Sequence, residues 1–297
     1  MAEVEVAILT PDPAVGEYAQ LWPRVLARLQ ATLRNEGIRA TPTPWTAHVD
    51  DAAGLRDFAQ VLPLLAWSYH LDHARWLRAC ATWRRTDLPM ANPAEVLEWN
   101  SDKRYLAGLA ARGVAIPHTA WTPDPSRARL EQFFDETGAD ELIVKPSVSG
   151  GAWKTQRVRR HSIDEAVAAA AGGGDMLVQP YLSTIASEGE TSLLYFGGQL
   201  SHVVNKRPVP GDFRVQETFG GQYTLLREAP AAALELAAAT LAAIDAPLLY
   251  ARIDVVPDAE GRWLLMEAEL IEPDFYLGVD PARGAGFARA LRAQVPG

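Results

Sequence analysis

Two strands near the C-terminus constrain this chain more than any other feature. Leu249-Tyr-Ala-Arg-Ile-Asp-Val-Val256 and Trp263-Leu-Leu-Met-Glu-Ala-Glu-Leu270 alternate apolar and charged residues around Pro257-Asp-Ala-Glu-Gly-Arg262, the pattern of a β-hairpin. Side chains in a strand point alternately to opposite faces. Leu249, Ala251, Ile253 and Val255 therefore share one face, and Arg252 and Asp254 the other. In the second strand Leu264, Met266, Ala268 and Leu270 make the apolar face, opposite Glu267 and Glu269. Burying the two apolar faces together forces Arg252, Asp254, Glu267 and Glu269 onto one side of the sheet. Carboxylates crowded in this way repel one another unless something compensates. Mg²⁺ does so: it prefers hard oxygen ligands, takes one or two carboxylates, and completes its shell with phosphate oxygens and water. A solvated sheet face of mixed charge is the other reading.

Upstream, strand and helix signals alternate. Strands are expected at residues 4–10, 38–45 and 61–67, and helices at 18–35 and 70–83, the order of an α/β lobe with a mainly parallel sheet. A helix at 102–112 follows. Then come a helix at 127–137, strands at 141–145 and 155–159, a helix at 164–171 closed by Gly172 to Gly174, and a strand at 176–179, a βαβ-like middle lobe. Beyond Tyr181 strands dominate, at 191–196, 199–205, 250–256 and 263–270, with a helix at 230–244. The 297 residues suffice for two or three lobes, and without linker or internal repeat these should pack closely.

Several residues are candidates for a site. Lys103 begins a helix, and Lys145 ends the strand Leu142-Ile-Val-Lys145 before the loop Pro146-Ser-Val-Ser-Gly-Gly-Ala152. In that loop Ser147, Ser149, Gly150 and Gly151 allow backbone N–H groups to approach a polyphosphate closely, while the ammonium supplies charge. Surface lysines beside a simple turn are the alternative. The loop lacks Walker A spacing, and no Rossmann fingerprint follows the first strand. Gln179, Tyr181 and Leu182 lie at a crossing between lobes, where backbone groups can meet an adenine edge. Glu190 can accept from ribose hydroxyls, or be a solvated acid in a plain linker. Lys206, Arg207 and Arg214 form a basic group suited to a γ-phosphate or a substrate carboxylate, or a surface patch. Tyr69 and His70 follow a strand where parallel sheets gather ligand contacts; a packed aromatic and a helix-start histidine are the competing roles. Cys80 is the single cysteine, so disulfides and zinc sites built on paired cysteines are excluded, and a small core residue is expected.

The net charge of −9 opposes non-specific binding to nucleic acid or an anionic membrane. No apolar run approaches the ~18 residues a bilayer requires. The start, Met1-Ala-Glu-Val-Glu-Val6, carries acids where a signal peptide is basic. A cytoplasmic protein is expected.

Taken in order, residues from about 100 to 275 resemble the ATP-grasp superfamily of ligases. Lys103 and Lys145 match its two nucleotide lysines, residues 147–152 its phosphate-covering loop, Gln179 to Leu182 its adenine hinge, and Glu190 its ribose acid. Arg252-Ile-Asp254 matches its Arg-x-Asp strand. Glu267-Ala-Glu269 matches its Glu-x-Asn metal pair, with Glu269 in place of the asparagine. The resemblance implies an α/β (α+β) ATP-grasp fold: an N-terminal parallel α/β lobe, 1–98, and two α+β lobes, 99–178 and 179–297, clasping ATP. It implies two Mg²⁺ held by Asp254, Glu267 and Glu269. Lys145, Lys206 and Arg252 would stabilise phosphoryl transfer, and Arg214 would meet the substrate carboxylate or the triphosphate. An acylphosphate would form from a small amino-acid-like substrate and be attacked by a nitrogen. A homodimer is compatible with this reading. The phrases Trp99-Asn-Ser-Asp-Lys-Arg-Tyr105, Ser187-Glu-Gly-Glu190, Gly211-Asp-Phe-Arg-Val-Gln-Glu-Thr-Phe-Gly-Gly221 and Glu269-Leu-Ile-Glu-Pro273 are similar to a RimK-like branch that includes the D-cycloserine synthetases. That narrower likeness implies cyclisation of O-ureido-D-serine. An intermolecular amino-acid or dipeptide ligase and a non-catalytic ATP-binding module are the alternatives.

Overall fold

A computed structural model describes residues 4–16, 19–123, 125–170 and 174–295. The expected beginning of the first helix at Tyr18 and the expected stop at Gly172 and Gly173 lie outside these residues. Among the described residues no helix is long and apolar enough to cross a membrane.

The N-terminal sheet contains β1 (Val4–Thr10), β2 (Ile38–Pro44) and β3 (Val61–Leu62), in the order β2-β1-β3 and all parallel. Residues Val6 to Leu9 are fully buried, because both faces of the sheet are covered. On one side α1 (Trp22–Arg34) packs Leu26, Leu29 and Leu33 against Val6 and Ile8. On the other, α2 (His73–Arg85) brings Trp76 and Trp83 against Ala7 and Leu9. The third strand is shorter than its apolar run suggests. Pro63 has no N–H to extend the ladder, and the chain turns there, with Ala66 N–H donating to the Pro63 carbonyl. Asp72 caps α2 by accepting from Arg75 N–H.

Two short helices follow, α3 (Ala94–Asn100) and α4 (Tyr105–Ala111). The middle sheet then forms from β4 (Ala120–Thr122), β5 (Glu141–Pro146), β6 (Gln156–Arg159) and β7 (Met176–Pro180), in the order β4-β7-β5-β6. Every pairing in it is antiparallel, so this is not a parallel βαβ unit. The helices α5 (Arg127–Thr137) and α6 (Ile163–Ala170) supply Leu130, Phe133, Phe134, Ile163 and Ala166 to its core. Gly138 ends α5 at φ +63°, a left-handed residue where glycine is favoured.

The short helix α7 (Thr184–Ser187) leads into a five-stranded antiparallel sheet. It comprises β8 (Glu190–Phe196), β9 (Gln199–Arg207), β10 (Gln222–Leu226), β11 (Tyr250–Pro257) and β12 (Trp263–Glu269), in the order β10-β9-β8-β11-β12. β10 was not expected, since its five residues follow a polar glycine-rich loop and show little alternation. Between β10 and β11, α8 (Ala231–Ile244) packs Ala233 and Ala237 on one face of the sheet. Tyr105, Leu106 and Leu109 of α4 join that same core. β12 is an edge strand, and its outward backbone groups are not left open. Ala268 N–H donates to Tyr105 Oη at 2.9 Å, and Asn100 accepts from Leu270 N–H and donates to the Ala268 carbonyl. The last helix, α9 (Ala285–Gln294), places Phe287 and Leu291 in one core with Leu29 and Leu33 of α1, tying the five-stranded sheet to the N-terminal lobe.

The hairpin corrects one expectation. Its register shifts after Asp254, so that Asp254 faces Glu267 while Val255 faces Leu265. Met266 is the extra residue of a β-bulge. Beyond it the alternation inverts. Leu265, not Leu264 or Met266, enters the buried core with Ile253 and Val255. Met266 joins Val256 on the charged side.

Candidate active site

The sheet register assembles the site. Asp254 on β11 lies between Ser192 on β8 and Glu267 on β12, Arg252 faces Glu269, and Lys206 on β9 faces Glu190. Arg252 Nη2 donates to Asp254 Oδ2 at 2.9 Å and Nε to Oδ1 at 3.1 Å; the guanidinium also donates to Glu269. Lys206 Nζ stands 3.3 Å from Asp254 Oδ2 and pairs with Glu190. Ser192 Oγ donates to Asp254 Oδ1 at 2.5 Å. Lys103 Nζ lies 2.9 Å from Glu267 Oε1. Asp254 and Lys206 are only 2% and 3% exposed, so these pairings occur in a medium that strengthens them.

Burial penalises every charge in this cluster, and the partners decide which survive. Burial would raise Asp254, but Arg252 and Lys206 hold its pKa down at about 2. Burial opposes the Lys206 ammonium, yet Asp254 and Glu190 keep it protonated well above the ordinary lysine range. Glu267 is likewise lowered against burial, by Lys103 and Lys145. Glu269 behaves differently. Burial outweighs Arg252, and with Glu267 and Asp254 adding repulsion its pKa rises to about 8.

The loop after β5 closes one side. Lys103 N–H donates to the Ser147 carbonyl at 2.8 Å, Lys103 Nζ to the Ser149 carbonyl at 2.9 Å, and Ser149 Oγ to the Pro146 carbonyl at 3.1 Å. Lys103 thus links the loop after β5 to Glu267. Lys145 stands in the same field: burial lowers its pKa, Glu267 opposes that, and Lys103 adds to it. Beside the charged face lies an apolar patch of Ile185, Val215 and Val256, with Leu182 and Met266 packed against it, a surface suited to the flat face of a base.

Other expected residues are placed differently. Arg214 is not among the partners of the acidic cluster. Asp212, two residues away, takes its guanidinium at 2.7 and 3.0 Å, and Phe219 stacks under it at 3.7 Å. It lines an open cavity of about 400 Å³ with Glu141, Arg157, Arg159 and Phe213. The Gln179 side chain turns to Thr119 Oγ1, 2.9 Å away, and Tyr181 lies 4.0 Å beneath the Arg157 guanidinium. Glu190, expected at a ribose, pairs with Lys206 here, and burial raises its pKa against that partner. The Tyr69 ring packs on Trp76 at 4.9 Å, which is the packed-aromatic role. Burial, and next Glu272, raise its hydroxyl well above the ordinary range. His70 borders Gly150 of the loop after β5: a Cβ on Gly150 would stand 3.5 Å from His70 Nδ1. Cys80 is a buried core residue.

The structure adds four residues to those read from the sequence. Ser192 anchors Asp254. Met266 reaches the charged side through the bulge. Tyr276 sets its ring 5.2 Å from the Arg252 guanidinium and 5.8 Å from Lys206 Nζ. Burial, with Glu269 nearby, pushes Glu272 well above the carboxylate range. Alternation along β8 from Glu190 points to Ser192; Tyr276 leaves no local signal.

No protein-family model matches the chain. It is 30% identical over 274 residues to the cycloserine biosynthesis protein DcsG of Streptomyces lavendulae, covering 87% of this chain and 89% of that protein. The crystal structure of D-cycloserine synthetase DcsG superposes with a TM-score of 0.81 at 28% identity, over 98% of this chain and 100% of the other. D-alanine–D-alanine ligase from Bacillus anthracis, solved in complex with ATP, gives a TM-score of 0.73 at 17% identity, over 98% and 96%. This last likeness is one of fold.

Proposed function

The chain belongs to the ATP-grasp ligases, in the family of DcsG, and on that premise we propose that it closes a small amino-acid-like substrate on itself, with O-ureido-D-serine cyclised to D-cycloserine as the specific reaction. It is an ATP-dependent ligase. The observation that carries the reading is the buried face on which Lys206 and Arg252 share Asp254, one strand away from Glu267 and its partner Lys103.

In the proposed first step an oxygen of the substrate carboxylate attacks the γ-phosphorus of ATP, and the bond to the β-phosphate oxygen breaks. ADP leaves and an acylphosphate forms. Lys103, Lys145, Lys206 and Arg252 surround the place where this charge develops, in a site where burial magnifies their effect. In the second step the substrate's own ureido N–H, the one bonded to the side-chain oxygen, attacks the acyl carbon; the acyl C–O bond breaks, and inorganic phosphate leaves with the former carboxylate oxygen and takes up the proton that the nitrogen releases. Attack from within one molecule removes most of the entropic cost of bringing the reactants together. Hydrolysis of the remaining carbamoyl group gives CO₂ and ammonia. The proposal requires no protein nucleophile.

Asp254, Glu267 and Glu269 are the residues that would hold Mg²⁺. Their hard oxygens fit it, and Asp254 and Glu267 face each other across the ladder. Among the described residues no group of three or more acidic, histidine or cysteine side chains is placed to hold a metal ion by itself. The cation would therefore take one or two of these carboxylates and fill the rest of its shell with phosphate oxygens and water. Bound magnesium would offset the negative charge of the β- and γ-phosphates. The lobes we propose are 1–98, 99–178 and 179–297, with nucleotide between the second and third and α4 of the second packed into the third. The apolar patch at Val256 and Met266 would take the adenine.

Measuring ADP release with purified protein tests the reaction. Release with O-ureido-D-serine as the only amino-acid-like compound, and D-cycloserine as product, is the expected result. Release that needs two different amino acids would identify an intermolecular ligase, and nucleotide binding without turnover a regulatory module; either outcome would overturn cyclisation.

A further inference from the structure

Where the chain leaves β3, one turn carries an unusual concentration of unfavourable features. Ser68 has φ +72°, a left-handed conformation for a non-glycine residue, and is 3% exposed. Its Oγ has no hydrogen-bond partner, and neither does the buried Nε2 of His70. Among the described residues only six buried side-chain polar atoms lack a partner, and two fall within this turn. A buried polar atom left unpaired costs roughly 1–3 kcal/mol, and a strained backbone of this kind about as much. Such features persist where something other than stability selects them.

The position supplies the reason. The turn lies beyond the C-terminal end of a parallel strand, where open α/β sheets bind ligands. One edge of the His70 ring, Nδ1 and Cε1, faces Gly150 of the phosphate loop; a Cβ there would come within 3.5 and 3.7 Å. The Trp153 ring, three residues further along that loop, is 5.5 Å from the imidazole. Burial, and then the charge of Lys103, lower the His70 pKa to about 4, so the ring is neutral near pH 7. A neutral imidazole and a hydroxyl offer donors and acceptors without net charge.

We propose that Ser68 Oγ and His70 Nε2 form the specificity end of the substrate pocket, and that they hydrogen-bond an uncharged group carrying both N–H and C=O, such as a ureido or amide group, held against the phosphate loop. The inference rests on the ligase reading above and names the part of the substrate that these residues select. A pocket whose buried polar atoms are completed only by the substrate rejects compounds that leave them unpaired.

The test compares His70→Leu, His70→Gln and Ser68→Ala with the wild-type protein. Steady-state ADP release is measured with O-ureido-D-serine, together with AMP-PNP affinity in magnesium and thermal unfolding. For His70→Leu, kcat/KM should fall by about 10²-fold, chiefly through KM, with AMP-PNP affinity held within about threefold. His70→Gln should recover about tenfold, since its amide restores a neutral donor and acceptor. Ser68→Ala should lose about tenfold. Neither His70→Leu nor Ser68→Ala should unfold at a lower temperature, because removing an unpaired buried polar atom is neutral or stabilising. Unchanged kcat/KM in His70→Leu would overturn the proposal. So would parallel losses of kcat/KM and AMP-PNP affinity, which make His70 a spacer for the phosphate loop, or a less stable His70→Leu protein, which makes it a packing element. If the wild-type protein releases no ADP with O-ureido-D-serine, the cyclisation reading fails by itself. The same variants are then compared on the compound that does release ADP, and the stability result stands independently of substrate.

Discussion

Arg252–Asp254 and Arg214–Asp212 are the same pair of residue types at the same separation, yet the fold gives them different characters. In β11 a spacing of two places both side chains on one face, where Glu269, Lys206 and Ser192 complete the cluster. The arginine and aspartate side chains there are 7% and 3% exposed. In the loop between β9 and β10 the same spacing folds the pair onto itself, and the side chains are 35% and 18% exposed. A buried ion pair is expensive to break and adds little stability over apolar packing, so its retention suits a function. An exposed pair contributes about 0–1 kcal/mol and is easily dispensed with.

The largest test of this contrast is Asp254→Asn. The amide keeps the shape but removes the charge that Arg252 and Lys206 share. ADP release should fall on the order of 10³-fold. Unfolding should show a loss of roughly 3–5 kcal/mol, because two buried cations lose their common partner. Turnover equal to wild type in a coupled ADP assay would remove Asp254 from the catalytic face. Next in size is Arg252→Lys. An ammonium lacks the planar fork that grips Asp254 through both Nε and Nη2 while also donating to Glu269, and kcat should drop by about 10²-fold with KM for ATP changed less. Equal kcat for lysine and arginine would show that charge alone suffices there.

This contrast was only partly legible in the sequence. Alternation along two strands was enough to put Arg252, Asp254, Glu267 and Glu269 on one face, because a ladder with a buried side leaves one register. The same rule failed at Met266, since one extra residue inverts everything beyond it and no local preference announces a bulge. The acids were visible, but their partners were not. Lys103 reaches Glu267 from a segment more than 160 positions away, and Tyr276 approaches Arg252 from beyond the last strand. A basic residue in a loop such as Arg214 looks free in the sequence, because only the fold shows the carboxylate two positions earlier turned back on it. Nothing in the residue types 68–70 announces a strained turn; it appears only as a backbone angle and two vacant hydrogen-bonding atoms.

Acid stability sharpens the comparison further. The folded pKa of Asp254 lies at about 2, below the ordinary 3.8, since Arg252 and Lys206 outweigh burial. A depressed carboxylate contributes stability that is complete above the unfolded value and is lost as pH falls through the folded one. The window therefore runs from about pH 4 down to about pH 2, and the contribution is about 2 kcal/mol. Denaturant midpoints measured across that window should converge for wild type and Asp254→Asn as the pH drops. Curves that stay parallel would show that Asp254 does not titrate within it.

The smallest expected effect belongs to Arg214→Ala. The guanidinium is held by Asp212 and Phe219 and lies with Glu141 and Arg157 at an open cavity. Its removal leaves Asp212 accepting from the backbone N–H groups of Phe213 and Arg214, so the loop keeps its turn. Activity should stay within about threefold of wild type and stability within about 1 kcal/mol, the range of exposed pairs. A loss approaching that of Arg252→Lys would mean that this loop closes onto the substrate during turnover, exchanging Asp212 for the substrate carboxylate. The difference between the two arginine–aspartate pairs would then be one of catalytic stage and not of role. The kinetic split decides between these readings: a rise in KM for the amino-acid substrate alone points to closure, while unchanged KM and kcat leave Arg214 as the self-paired residue that the structure displays.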